Sequence, residues 1–288
     1  MEVIRYSDPG VLRAKIETRL MEHEAVNNLF LGLLKRFSEN SSLQEKEHLW
    51  FSVEDQGDIK LAGWRTPPFP FGLWSPKKDF ETAVNYLIDY LIAEELEVPG
   101  IVAGISLAET FTAVATSRMN VEKYFTMNQG IYECREVDQS LLGNGTIRPV
   151  QQEELELLTD WMIEFYKESL NQEPLRSETR EKLTGEIAKR TYFFYEEDGT
   201  ILSTAATTRP TINGITVNMV YTPPEYRKKG YATTSVALLT QKLLDANWKF
   251  TALFTDLDNP TSNNIYQKIG YQKVGESRDI RFKPVVKT

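Results

Sequence analysis

The chain has 288 residues, 41% of them hydrophobic, with 33 Lys plus Arg against 41 Asp plus Glu and a net charge of −8. That length and hydrophobic content predict a soluble globular protein of one large or two ordinary domains, without an apolar run long enough to span a bilayer or a basic start leading into an apolar leader core. The acidic balance argues against the continuous basic face that nucleic-acid binding needs, and a single cysteine, Cys134, excludes an intrachain disulfide and a cysteine-rich zinc site; the expected compartment is the cytoplasm, with neither nucleic acid nor membrane as partner.

Residues 11–36 are predicted helical. Residues 48–53 and 59–64 flank Asp55-Gln56-Gly57-Asp58 as a hairpin, and 69–74 form a third extended piece. Residues 78–95 read as a long amphipathic helix with Phe80, Val84, Leu87, Ile88 and Leu91 along one face. A short buried strand at 101–104, a helix at 107–118 and a strand at 124–133 follow, and Cys134 closes that strand in a structural role. His23 and His48 lie in this half, far apart in sequence, and neither reads as a catalytic base.

The two-glycine turn Gly143-Asn144-Gly145 opens a second half. A strand at 146–150 leads into a helix at 153–167 that aligns Leu155, Leu158, Met162 and Phe165. A polar loop at 169–177 contains Pro174 and precedes a helix at 178–189. Strands at 191–195 and 201–208 form a hairpin across Glu197-Asp198-Gly199, and Asn213-Gly214 turns the chain into a β-branched strand at 215–221. Pro223 and Pro224 stop that strand. The basic turn Arg227-Lys228-Lys229-Gly230-Tyr231-Ala232 runs into a helix at 233–246, with Val236, Leu239, Leu243 and Leu244 on one face. A buried strand at 250–255 follows, then a helix that Asn259-Pro260 can start and Gly270 can end, then a strand at 276–282.

A strand, a turn of free backbone N–H groups and a helix N-terminus together make an anion site. The helix dipole and the unpaired amides converge there, and Arg227, Lys228 and Lys229 add positive charge. The spacing excludes a Walker turn, which needs a second upstream Gly and a Lys-Ser or Lys-Thr pair, and a dinucleotide fingerprint, which needs G-x-G-x-x-G. What stands is Arg-x-x-Gly-x-Ala after a strand, which resembles the acyl-CoA pyrophosphate loop of the GNAT N-acetyltransferases. Downstream, Asn259, Ser262, Tyr266, Gly270 and Tyr271 resemble the same family's Asn-x-x-Ala-x-x-x-Tyr-x-x-x-Gly-Phe segment, with Ser262 in place of Ala.

The resemblance implies a mixed α/β fold with a mostly antiparallel sheet flanked by helices, and transfer of an acetyl group from acetyl-CoA to a primary amine on a small molecule or peptide. It places the cofactor contacts on Val220, Tyr221 and Thr222 of a splayed strand, on Arg227 and the amides of Lys228, Lys229, Gly230, Tyr231 and Ala232, and on Thr233 and Asn259. Tyr266 corresponds to the family's tyrosine near the CoA sulfur, where a phenol can protonate the leaving thiolate. No metal is needed. Some members carry a Glu on the motif strand; here Thr216-Val217-Asn218 has no carboxylate. A water, Glu164, Glu168 or Asp256 remains as base, and a non-catalytic acyl-CoA-binding or regulatory module is the alternative reading.

The element order of the second half recurs in the first, so the chain reads as tandem copies, 1–142 and 143–288, with an unrelated α+β first domain as the alternative. The first copy has Ser75-Pro76-Lys77-Lys78-Asp79 where the basic turn would stand, without a glycine, and no counterpart of Tyr266. The expected assembly is a monomer or a homodimer.

Overall fold

The computed structural model describes residues 1–40, 43, 47–170 and 172–285. In chain order the first half comprises β1 (Glu2–Arg5), α1 (Pro9–Met21), α2 (Asn28–Glu39), β2 (Leu49–Asp55), β3 (Asp58–Arg65), β4 (Phe71–Trp74), α3 (Glu81–Ala93), β5 (Gly100–Gly104), α4 (Ile105–Arg118) and β6 (Val121–Cys134). The second half comprises β7 (Thr146–Pro149), α5 (Leu155–Leu170), α6 (Arg176–Ala188), β8 (Tyr192–Glu197), β9 (Thr200–Thr208), β10 (Gly214–Tyr221), α7 (Tyr231–Asp245), β11 (Phe250–Asp256), α8 (Pro260–Ile269) and β12 (Gln272–Pro284). The order β-α-α-β-β-β-α-β-α-β therefore occurs in both halves.

Two local expectations are corrected, and one strand is added. The single helix over 11–36 is two helices. The Leu20 carbonyl at the end of α1 accepts the His23 N–H at 3.2 Å and the Asn27 side-chain amide at 2.8 Å, and the Asn28 amide donates to the Ala25 carbonyl at 2.6 Å, so the chain turns between the two helices. The polar loop at 169–177 is shorter, because α5 runs to Leu170 and α6 starts at Arg176; position 171 of that loop lies outside the described residues. Strand β1, too short to show a period, pairs antiparallel with β2, Val3 opposite Val53.

The chain divides into two compact units, one of Met1–Ile131, Thr255–Asn259 and Val274–Thr288, the other of Tyr132–Phe254 and Pro260–Lys273. A single cut after residue 142 does not describe this division, because the final strand joins the first unit. In that unit β1, β2, β3, β4, β5 and β12 follow one another across one sheet, and β12 pairs antiparallel with β5, from Ser277 opposite Gly104 to Arg281 opposite Gly100. Gly100 permits the approach: its φ is +152° and a Cβ there would stand 2.2 Å from the Ile280 carbonyl oxygen. Ile280 and Phe282 of β12 join Phe71, Leu87, Ile88, Ile101 and Phe111 in one buried cluster. Each such side chain contributes about 1.5–3 kcal/mol relative to exposure.

In the second unit β11, β10, β9, β8 and β7 follow one another across the sheet. Strands β7 to β10 are antiparallel to their neighbours, and β10 and β11 are parallel. Helix α7 buries Val236, Leu239 and Leu243 against Val217 and Leu253 on one face. Helices α5 and α6 bring Leu158, Met162, Leu183 and Ile187 to Phe194, Ala206 and Tyr221 on the other.

Candidate acyl-transfer site

Strands β10 and β11 pair only from Gly214 opposite Phe250 to Thr216 opposite Ala252, and beyond that couple β10 has no partner on β11. On its other edge β10 slips register against β9 between Asn218 and Tyr221, and Met219 takes φ +50°, an uncommon conformation for a non-glycine residue. A bulge thus lifts Met219 and Val220 out of the ladder where the two parallel strands part. The result is a stretch of backbone with free N–H and C=O groups in the middle of a sheet, which an extended ligand with amide groups can join as an added strand.

The end of β10 is tied down. The Thr222 hydroxyl donates to Ser203 Oγ at 2.9 Å, and Ser203 Oγ donates to the Tyr221 carbonyl at 2.9 Å, all buried. Pro223 and Pro224 then give a single 3₁₀ turn. Arg227 folds back: its Nε donates to the Thr222 carbonyl at 2.8 Å, its Nη2 meets Glu168 at 2.6 Å, and its guanidinium lies 5.5 Å from the Tyr221 ring centroid. Burial, and next the Glu168 charge, raise the Tyr221 phenol above its ordinary range. The charge of Arg227 is therefore committed to the loop's own frame, where the sequence suggests a free cation beside Lys228 and Lys229.

The turn itself is open. Lys228 has φ +63° and Gly230 has φ +91°, and no side chain caps α7. Backbone pairing resumes with Thr234 N–H on the Gly230 carbonyl at 3.1 Å. Among the described residues the amides of Lys228, Lys229, Gly230, Tyr231, Ala232 and Thr233 have no acceptor. A Cβ on Gly230 would meet nothing within 4 Å, so the space above the turn is free. Successive amides in such a turn form a concavity for anionic oxygens.

Tyr266 on α8 packs against the cluster beneath α7, with its ring 6.0 Å from that of Tyr271. Its hydroxyl has no hydrogen-bond partner among the described residues, and burial pushes its pKa up to about 12. Tyr271 is held by Thr240 and Thr251, each at 2.8 Å. Asn259 falls in the Thr255–Asn259 segment of the first unit, where its N–H donates to the Asp256 carbonyl at 3.1 Å.

The carboxylates considered as bases are engaged. Glu164 pairs with Lys167 at 3.0 Å, Glu168 with Arg227, and Asp256 Oδ1 accepts the Asp258 N–H at 2.9 Å. Asn218 keeps a buried side-chain oxygen without a partner. Cys134 is buried, donates to the Glu136 carbonyl at 3.1 Å and has its pKa pushed up to about 11 by burial, which suits packing and not nucleophilic attack. Among the described residues no group of three or more His, Cys, Asp or Glu could hold a metal ion, and no helix is long and apolar enough to cross a membrane.

A parted pair of parallel strands followed by an uncapped amide turn is a recognisable construction. The model of the acetyltransferase (GNAT) family matches residues 155–271. This stretch is a GNAT domain. As such it is the domain of an acyltransferase of the N-acetyltransferase type, and it spans α5 to the residue before β12. A structure of a Drosophila protein is similar over 99% of this chain and 99% of its own, with a TM-score of 0.68 at 12% identity. A GNAT-family acetyltransferase from Colwellia psychrerythraea is similar over 98% of this chain and 100% of its own, TM-score 0.59, 10% identity. A GCN5-related N-acetyltransferase from Sphaerobacter thermophilus is similar over 88% and 85%, TM-score 0.61, 10% identity. At such identities the likeness is one of fold, and it extends beyond the GNAT domain to nearly the whole chain. No curated protein matches the sequence.

Two features of the site carried no signal in the sequence. The bulge at Met219 sits in an unbroken β-branched and aromatic run. The link from Arg227 to Glu168 joins residues 59 positions apart.

Proposed function

We propose that the GNAT domain transfers an acetyl group from acetyl-CoA to a primary amine by direct attack within a ternary complex. The observation that carries this reading is the row of unpaired amides from Lys228 to Thr233 at an uncapped helix start, directly after a strand whose edge is free. The amides of Lys228 to Ala232 would hold the diphosphate, with Thr233 adjacent, and the free groups of Val220 and Thr222 would pair with the pantetheine on either side of Tyr221. A backbone N–H in the bulge would face the thioester oxygen and stabilise the oxyanion.

In this mechanism the amine nitrogen attacks the thioester carbonyl carbon, the carbon–sulfur bond breaks, and the thiolate takes the Tyr266 phenolic proton. A phenol whose pKa is pushed up to about 12 is fully protonated at neutral pH, as an acid must be. The proton lost by the amine passes to solvent water, and solvent returns one to the Tyr266 phenolate to close the cycle; Glu164 and Glu168 are engaged in ion pairs, Asp256 Oδ1 accepts the Asp258 N–H, and Asn218 cannot accept a proton as a base.

The second reading is an acyl-CoA-binding module without turnover, and the amide at Asn218 favours it. Incubating the full chain with acetyl-CoA and a panel of primary amines, with release of CoA thiol as the readout, separates the two. Turnover on any amine supports the transferase; tight CoA binding with no turnover on any of them supports the binding module.

A further inference from the structure

Arg209 follows β9 and precedes Pro210, with φ +48°. Its Nε is buried and has no hydrogen-bond partner, although part of the side chain remains accessible. Its guanidinium lies 5.3 Å from the Phe254 ring centroid. Burial is the sole cause acting on its pKa, which it lowers to about 10; among the described residues no carboxylate stands close enough to oppose it. A guanidinium with a buried, unpaired Nε and no counter-charge is costly, because that group gives up hydration without replacing it.

The position of this charge is specific. Thr216 and Ala252 are the last couple that joins β10 to β11. Asn218 and Phe254 each stand two residues further, so by the two-residue period of strands both project from the same face as that couple, at the point where the strands part. Arg209 reaches that face by lying over Phe254. Asn218 Oδ1 of β10, a buried oxygen without a hydrogen-bond partner, is on it too. An unpaired donor and an unpaired acceptor thus share one face at the mouth of the parting.

We infer that Arg209 receives a carboxylate of the substrate entering between β10 and β11, carried by the amine acceptor as in an amino acid or by a dicarboxylic acyl group on CoA. One positive charge with a planar fork of donors is balanced by one planar anion, whereas a phosphate would bring excess charge into a buried position. Asn218 Oδ1 can accept an N–H of the same ligand. This inference rests on the reading of the parting as the acyl-transfer centre.

The experiment measures binding first and turnover second, on the full chain. One arm titrates CoA-saturated protein with amino acids and with the corresponding amino-acid amides. The other compares succinyl-CoA with acetyl-CoA. A carboxylate probe is expected to bind about tenfold or more tightly than its neutral twin, equivalent to about 1.4 kcal/mol. Arg209→Gln is expected to erase that ratio with CoA affinity unchanged, and Arg209→Lys to retain part of it. The arm that shows the ratio identifies the source of the carboxylate. Equal binding of every pair, or a ratio that survives Arg209→Gln, overturns the inference. Carboxylate-selective binding without turnover leaves it standing and fails the transferase reading instead. Arg209→Gln is also expected to melt no lower than the parent, since it removes an uncompensated charge; if it does not fold, the pairwise ratios of the parent and Arg209→Lys decide.

Discussion

Arg227 Nε donates to the carbonyl oxygen of Thr222, five positions earlier, at 2.8 Å, closing the loop between the end of β10 and the basic turn. The same guanidinium holds Glu168 and covers the Tyr221 ring, so one side chain sets the angle at which the free amides leave the strand. Lysine carries the same charge but lacks the planar fork. Arg227→Lys is therefore expected to weaken CoA binding by about tenfold, or 1.4 kcal/mol, with little change in melting temperature. Isothermal titration with CoA checks this, and unchanged affinity would assign the charge alone as the determinant.

Gly230 tests the amide turn directly. Its φ of +91° disfavours any side chain, yet a Cβ would meet no protein atom within 4 Å. Gly230→Val should cost about 1–3 kcal/mol through backbone strain and still fold. Its methyl groups would occupy the space a diphosphate needs, so CoA affinity should fall by more than the strain accounts for. A variant that melts lower but binds CoA normally would exclude this turn as the phosphate site.

Tyr266→Phe keeps the ring that packs near Tyr271 and removes only the hydroxyl. If that hydroxyl is the acid, kcat should drop by about 10²-fold with CoA affinity unchanged. Stopped-turnover assays with a thiol reagent, paired with CoA titration, distinguish this from a packing role, in which affinity and stability would move together.

The pH dependence of stability follows from buried acids. Tyr266 is pushed up to about 12 and Cys134 to about 11, and burial raises Tyr192, Tyr195 and Tyr271 further. A folded pKa above the unfolded value favours the protonated form in the native state, so this stability is complete below the unfolded values and is lost as pH rises through the folded ones. Chemical denaturation should show a steady loss starting near pH 9 to 10 and continuing past pH 12, and Tyr266→Phe should flatten the part between about 10 and 12.

In the first unit, Glu54 is buried and accepts Tyr6 at 2.9 Å, Ser52 at 2.7 Å and Lys15 at 2.9 Å. Burial opposes its charge, but Lys15 and the two hydroxyls together hold its pKa below the ordinary carboxylate value. A depressed pKa contributes stability above the unfolded value near 4.5 that is lost as pH falls through the folded one. Glu54→Gln should destabilise this unit by about 1–3 kcal/mol at neutral pH and reduce its acid sensitivity. Urea melts at pH 7 and pH 3 measure both effects.

What could be read in the chain were features written in consecutive residues. The basic turn with Gly230, the start of α7 and the spacing from Asn259 to Tyr271 depend on neighbours within a dozen positions. Both hairpins were legible for the same reason, through Gly57 and Gly199 in their turns. The parts that stayed hidden depend on contacts between distant positions. Arg209 meets Phe254 only once β9, β10 and β11 lie side by side, and Arg227 meets Glu168 only once α5 packs on β10. The break between α1 and α2 was masked because 22–27 contains neither Gly nor Pro, and the side-chain amides of Asn27 and Asn28 do the work of a turn. Residues 276–282 announce a strand, but nothing in them announces β5 as its partner, because pairing is decided by what else lies at the sheet's open edge.

The placement of β12 against β5 has a consequence for biosynthesis. The edge of β5 has no permanent neighbour on that side until residues Ser277 to Arg281 have emerged from the ribosome, some 150 positions after β6. At ordinary elongation rates that is a wait of roughly 8–30 s. Throughout it a partly built sheet offers unpaired backbone to any passing strand, so the order of synthesis leaves this edge exposed to mispairing until the last strand arrives.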